Sequence, residues 1–157
     1  MAGTLKVKIQ EDIILDNQDY GSKRVFEISS IANILKRIVT IASDGDATVI
    51  VFKSTTASAD GALDLQNVKY IRITNLDSSN SVNISLQLDS GEDNSAADLS
   101  MTHLLEAGRS FLMGAPDEGA HADDDSATIV TALTDLESII VDPGSNSGQV
   151  EVFVAST

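Results

Sequence analysis

The stretch "YIRITNLDSSNSVNISLQLDS", residues 70–90, decides the fold class. In its second half Val82, Ile84, Leu86 and Leu88 share one parity, and Asn83, Ser85, Gln87 and Asp89 share the other. Successive side chains of a pleated chain point to opposite sides, so this alternation specifies a strand with one buried face and one wet face. The preceding run, Val68 to Thr74, is rich in β-branched and aromatic residues, the types that fit a pleated, half-buried surface. Between the two lie Asp77, Ser78, Ser79 and Asn80, whose short polar side chains can bond nearby backbone. The expectation is strand, turn, strand, paired as a hairpin.

The same pattern recurs outward in both directions. Leu5, Val7 and Ile9 alternate with Lys6, Lys8 and Gln10, and the odd parity resumes at Ile13 and Leu15, which predicts a long first strand kinked near Glu11. "DNQDYGS" follows as a turn and "KRVFEIS" as a second strand. "SSIANILKR" has Ser29 or Ser30 as a cap and Ile31, Ile34 and Leu35 at helical spacing, which predicts one helical turn. Ile38 to Ala42 and Thr48 to Lys53 flank Ser43-Asp44-Gly45-Asp46, a second expected hairpin. A strand is expected at Leu99 to Leu105, with "EAGRS" turning into "FLMG". "SATIVTALTDLE" fits a helical stripe as well as a strand, and its Thr content favours extended chain. "LESIIVD" and "VEVFVAS", joined through Asp142-Pro143-Gly144, complete a third expected hairpin.

About ten short strands punctuated by turns call for two packed antiparallel sheets. The fold class is therefore all-β, an antiparallel β-sandwich with the jelly roll as candidate topology. With 157 residues, 42% of them hydrophobic, the chain can bury a core as a single domain spanning residues 1–157. Four Phe, two Tyr and no Trp make that core aliphatic.

Composition also narrows the function classes. There is no cysteine, which removes disulfides, thiol catalysis and cysteine-ligated metal. A formal charge of -14 opposes nucleic acid binding, which begins with clustered Lys and Arg. "MAGTLKVKIQEDIIL" lacks the apolar centre of a signal peptide, and no run approaches the roughly 18 apolar residues of a membrane span, so the expectation is a chain made and kept in the cytoplasm, with no membrane partner.

No catalytic constellation stands out. His103 shares the parity of Leu99, Met101 and Leu105 and is expected as a partly buried core residue. His121 is expected as a solvated side chain in the segment "APDEGAHADDDSA", Ala115 to Ala127, an exposed excursion by its length and polarity. Serine-nucleophile, zinc-protease and phosphate-loop motifs are absent, and no residue is assigned a catalytic, cofactor or metal role. Asp117, Glu118, Asp123, Asp124 and Asp125 crowd one loop, and Glu92, Asp93 and Asp98 another. Such oxygen ligands suit calcium, but the spacing of a twelve-residue calcium loop is not met, so solvated acidic loops are expected. "NIS" at Asn83 fits a glycosylation sequon, without a secretory signal to give it meaning. A sugar-binding face would need exposed aromatic rings, and the candidates are Tyr70, on the outward parity of its strand, and Tyr20, in a turn.

"VKYIRITNLDSSNSVNISLQL" followed by "LLEAGRSFLMG", with the closing pair "LESIIVDP" and "VEVFVAS", resembles small structural proteins of tailed-bacteriophage virions. The shared pattern is a strand of the form x-Ile-x-Ile-x-Asn-Leu, an alternating strand, a Leu-Glu-x-Gly-x-Ser-Phe turn, and a final strand pair. The resemblance implies a non-enzymatic β-sandwich that decorates or cements a capsid, carried in the virion and made in the host cytoplasm. Its partners would be the major capsid protein, other virion subunits, or copies of itself in a homo-oligomer. The alternative is a tail-associated structural protein or a carbohydrate-binding adhesion module. The expected contact regions are the N-terminal strand and the loops Asp89 to Asp98 and Ala115 to Ala127.

Overall fold

A computed structural model describes residues 2–53, 61–89, 99–122 and 132–157. In chain order its strands are β1 (Gly3–Glu11), β2 (Ile14–Leu15), β3 (Gln18–Asp19), β4 (Ser22–Ile31), β5 (Asn33–Ile41), β6 (Ala47–Lys53), β7 (Leu63–Asp64), β8 (Val68–Asn75), β9 (Val82–Asp89), β10 (Leu99–Leu105), β11 (Ser110–Met113), β12 (Asp135–Asp142) and β13 (Gly148–Ser156). Short 3-10 turns occupy Leu65–Asn67 and Pro116–Glu118.

Two sheets form the body. One has the order β10-β9-β12-β6, with β7 added in parallel beside β6, and the other the order β11-β8-β13-β5. From β5 onward, consecutive long strands alternate between the two sheets, except for the β9–β10 hairpin, which stays in one sheet. This is jelly-roll connectivity, the all-β sandwich that the alternation calls for. The core lies between the sheets. Val82, Ile84, Leu86 and Leu88 of β9 enter it from one side, Ile71 and Ile73 of β8 and Val150, Val152 and Val154 of β13 from the other. Leu136, Ile139 and Val141 of β12 complete the layer.

Three expected hairpins are corrected by the pairing. β8 and β9, β5 and β6, and β12 and β13 are each neighbours in sequence, yet each pair is divided between the two sheets. β8 bonds to β13 and β11, β9 to β12 and β10, β5 to β13, and β6 to β12. Parity states which face of a strand is buried, and two strands that bury facing surfaces in opposite sheets show the same parity as a paired hairpin. The loops at Ala42–Asp46, Leu76–Ser81 and Pro143–Ser147 are long enough to cross the gap of about 10 Å between sheets.

The expected helical turn at "SSIANILKR" is also corrected. β4 runs to Ile31 and β5 starts at Asn33, with Ser30 at φ 62° one residue before the end of β4. The β-branched residues here bond to β1 and β13 instead of closing a helical turn. The kink near Glu11 is where β1 ends, and "DNQDYGS" contains the β2–β3 reversal. Asp16 and Asn17, at φ 50° and 64°, supply the two left-handed residues that a two-residue hairpin turn requires.

Candidate functional site

Among the described residues β1 and β4 pair only with each other, forming a two-stranded arm tipped by β2 and β3. The register places Leu5 opposite Ile28, Val7 opposite Phe26, Ile9 opposite Arg24, and Glu11 opposite Ser22. Directly opposed residues share a face, so one side of the arm is an apolar stripe ending in Arg24 and Glu11. The other side carries Lys6, Lys8 and Gln10 opposite Glu27, Val25 and Lys23, with an ion pair of 2.6 Å between Lys6 and Glu27.

Among the described residues only the root of the stripe is covered. Val7 and Ile31 form a small cluster with Tyr70 and Ala155, and Leu5, Ile28 and Phe153 pack around it. Beyond that root the stripe meets solvent: Phe26 is 40% and Ile9 41% exposed, and at the tip Ile13, Ile14, Leu15 and Tyr20 are exposed as well. A two-stranded hairpin is only marginally stable alone. The arm thus carries an exposed apolar surface away from the core.

Charged and aromatic groups brace the sheet under the root. Arg72 lies 5.8 Å from the centre of the Phe153 ring, and Phe153 meets Tyr70 edge-on at 6.1 Å. Arg72 also donates to Glu151, which Lys36 approaches from β5 at 3.2 Å. The hydrogen bond from Lys36, seconded by Arg72, holds the Glu151 carboxyl below its ordinary pKa. Burial raises the Tyr70 phenol above its ordinary pKa, an effect Arg72 partly opposes.

Tyr70 therefore sits on the outward side of its strand, as its parity predicts, yet it is only 4% exposed because the arm covers it. That corrects its candidacy as a sugar platform. Tyr20 is exposed at the arm tip, where its hydroxyl donates to Gln18 at 2.7 Å. His103 faces inward by register but is exposed, with its ring 6.0 Å from Phe111. It is not a core residue: β10 and β11 are edge strands, and β11 is too short to cover the inner side of β10.

His121 is half-buried, its Nδ1 3.4 Å from the Thr134 hydroxyl. The start of the segment Ala115 to Ala127 is docked where an exposed excursion was expected. Pro116 is buried, Asp117 pairs with Lys69, and Ala120 bridges to Thr134. Asp123, Asp124 and Asp125 lie outside the described residues, as do Glu92, Asp93 and Asp98 of the other acidic loop. Asn83 is exposed on the outer side of β9, beside a shallow hollow of about 340 Å³ whose single ionisable lining residue is Asp142. Among the described residues no three His, Asp or Glu side chains converge.

The N-terminal strand was expected to make contacts. What strand-by-strand reading misses is that "KRVFEIS" doubles it, so that Phe26 and Arg24 extend the same face. The alternation of Val7 and Ile9 in one strand and of Phe26 and Ile28 in the next was the available signal.

No family model matches the chain, and no curated protein matches it. Among solved structures the chain is similar to one described under "Bacillus endospore appendages form a novel family of disulfide-linked pili", at 13% identity and a TM-score of 0.37, over 79% of this chain and 88% of that one. A likeness this weak establishes neither fold nor function.

Proposed function

We propose that this chain is a non-enzymatic structural protein of a tailed-phage virion, decorating or cementing the head through protein–protein contacts. The observation that carries the reading is the β1–β4 arm, an apolar surface held out from a sandwich that already has its own core. A stiff aliphatic body with an unfilled arm suits a building block, because the body keeps its shape while the arm gains stability only on contact. The net charge of -14 keeps such a body from casual association. In this reading the protein is made in the host cytoplasm and carried in the particle, against the major capsid protein or other virion subunits.

The test is to purify particles produced from a genome carrying this gene and measure its product by quantitative mass spectrometry. A fixed copy number per particle that falls when Phe26 is changed to Asp supports the reading. Absence from particles, or substrate turnover by the purified chain, overturns it.

A further inference from the structure

We infer that the uncovered face of the arm seats against the same face of the arm of a second copy, joining two sandwich bodies about a twofold axis. The inference rests on the reading of the arm as a contact element and names its partner. The stripe that Leu5, Val7 and Ile28 bury at the root continues without a break into Phe26 and Ile9, so the uncovered part is chemically the same surface as the covered part. Two such ribbons stacked face to face cover each other's apolar side as the layers of a sandwich do.

Charge selects the occupant. Residues 2–31 carry four Lys or Arg against five Asp or Glu, a net of -1, and the rest of the chain holds -13 of the total -14. Two bodies of this chain repel each other, and the arm is the part on which copies can meet without that penalty. The exposed face is also self-complementary. Arg24 and Glu11 lie on it one rung apart, with opposite signs, and Arg24 has no ion-pair partner among the described residues. The Ser22 hydroxyl donates to Glu11 and orients its carboxylate. In an isologous contact Arg24 of each copy meets Glu11 of the other, so one kind of pair forms twice. A dimer joined through its arms presents two bodies on one tether, which strengthens attachment to a repeating lattice without any new contact.

The test is sedimentation velocity on the full chain across the micromolar range, with far-UV circular dichroism to confirm folding. A dimer is expected, becoming monomer in Phe26→Asp. Arg24→Glu and Glu11→Arg each weaken it by about tenfold or more, since each sets like charges opposite one another. Mixing those two variants restores dimer, because every pair is again opposite in sign. A wild-type monomer throughout, a dimer indifferent to Phe26→Asp, or no recovery on mixing overturns the inference. A monomer that still enters particles refutes the arm-to-arm contact alone, whereas a dimer absent from particles refutes the virion reading alone.

Discussion

Asn75, at the end of β8, reaches across the sandwich to Leu105, the last residue of β10 in the opposite sheet: its Nδ2 donates to the Leu105 carbonyl at 3.2 Å. The same amide donates to the Asn80 carbonyl at 2.8 Å, and its Oδ1 accepts from the Asp77 amide at 3.0 Å. Asn75 is fully buried, so one side chain satisfies three backbone groups where the chain passes between sheets. Replacing Asn75 by Ala removes the partner of all three groups, and the Leu105 carbonyl, whose bond is the fully buried one, is left unsatisfied. We expect a loss of about 2 kcal/mol, since an unsatisfied buried group costs about 1–3 kcal/mol. Urea unfolding measures it, and a midpoint near wild type refutes the role.

Tyr70 anchors the root of the arm from below. Tyr70→Ala is expected to cost about 3 kcal/mol, as large-to-small changes at buried aromatics do. Hydrogen exchange should then accelerate in Gly3–Glu11 and Ser22–Ile31 while the buried strands β8 and β13 stay protected. Tyr20→Ala, at the exposed tip, should change stability by no more than about 0.5 kcal/mol.

Titration should weaken the fold at both extremes of pH. Glu151 and Asp77 have folded pKa values below their ordinary range, Glu151 through Lys36 and Arg72, Asp77 chiefly through the amides of Asn80 and Ser79. Their contribution is therefore present above pH of about 4 and is lost as pH falls through the lowered values. Tyr70 is shifted upward by burial, so its contribution is complete below pH of about 10 and is lost as pH climbs through the raised value. Urea midpoints across pH should show Glu151→Gln flattening the acid limb and Tyr70→Phe the alkaline one. Unchanged limbs refute the assignments.

Gly119 follows the Pro116–Glu118 turn at φ 77° and ψ -170°, a conformation open almost only to glycine. A Cβ there would stand 2.4 Å from the Thr134 carbonyl oxygen, the acceptor in the Ala120–Thr134 bridge. Gly119→Ala should cost more than the roughly 1–2 kcal/mol of a left-handed alanine, and should lose exchange protection at Ala120. Gly108→Ala, at φ 69° with open space around it, pays the backbone term alone and is the control. Equal losses at the two sites refute the steric argument.

Much of this molecule was legible before any tertiary contact. Alternation identified β1, β9, β10 and β13 and the inward residues of β9, because burying one side of a pleated strand demands a period of two, and β-branched and aromatic content identified β8. Asn75, in its place after Ile71 and Ile73, was visible as a pattern, though nothing local said that it would bond three loop groups. His103 and Tyr70 show why exposure was not legible. Each lies on the side its parity predicts, and each has the opposite accessibility, because a short β11 uncovers one and the arm covers the other.

By itself, then, the sequence determined that the chain is all-β, aliphatic in its core and built of strands with one dry side. Tertiary structure alone decided which strands bond to which, and that the first thirty residues leave the body as an arm. The physical reason is that alternation records the environment normal to a strand, while pairing lies in the plane of the sheet, where backbone amides and carbonyls are the same at every residue and only the global packing chooses among them.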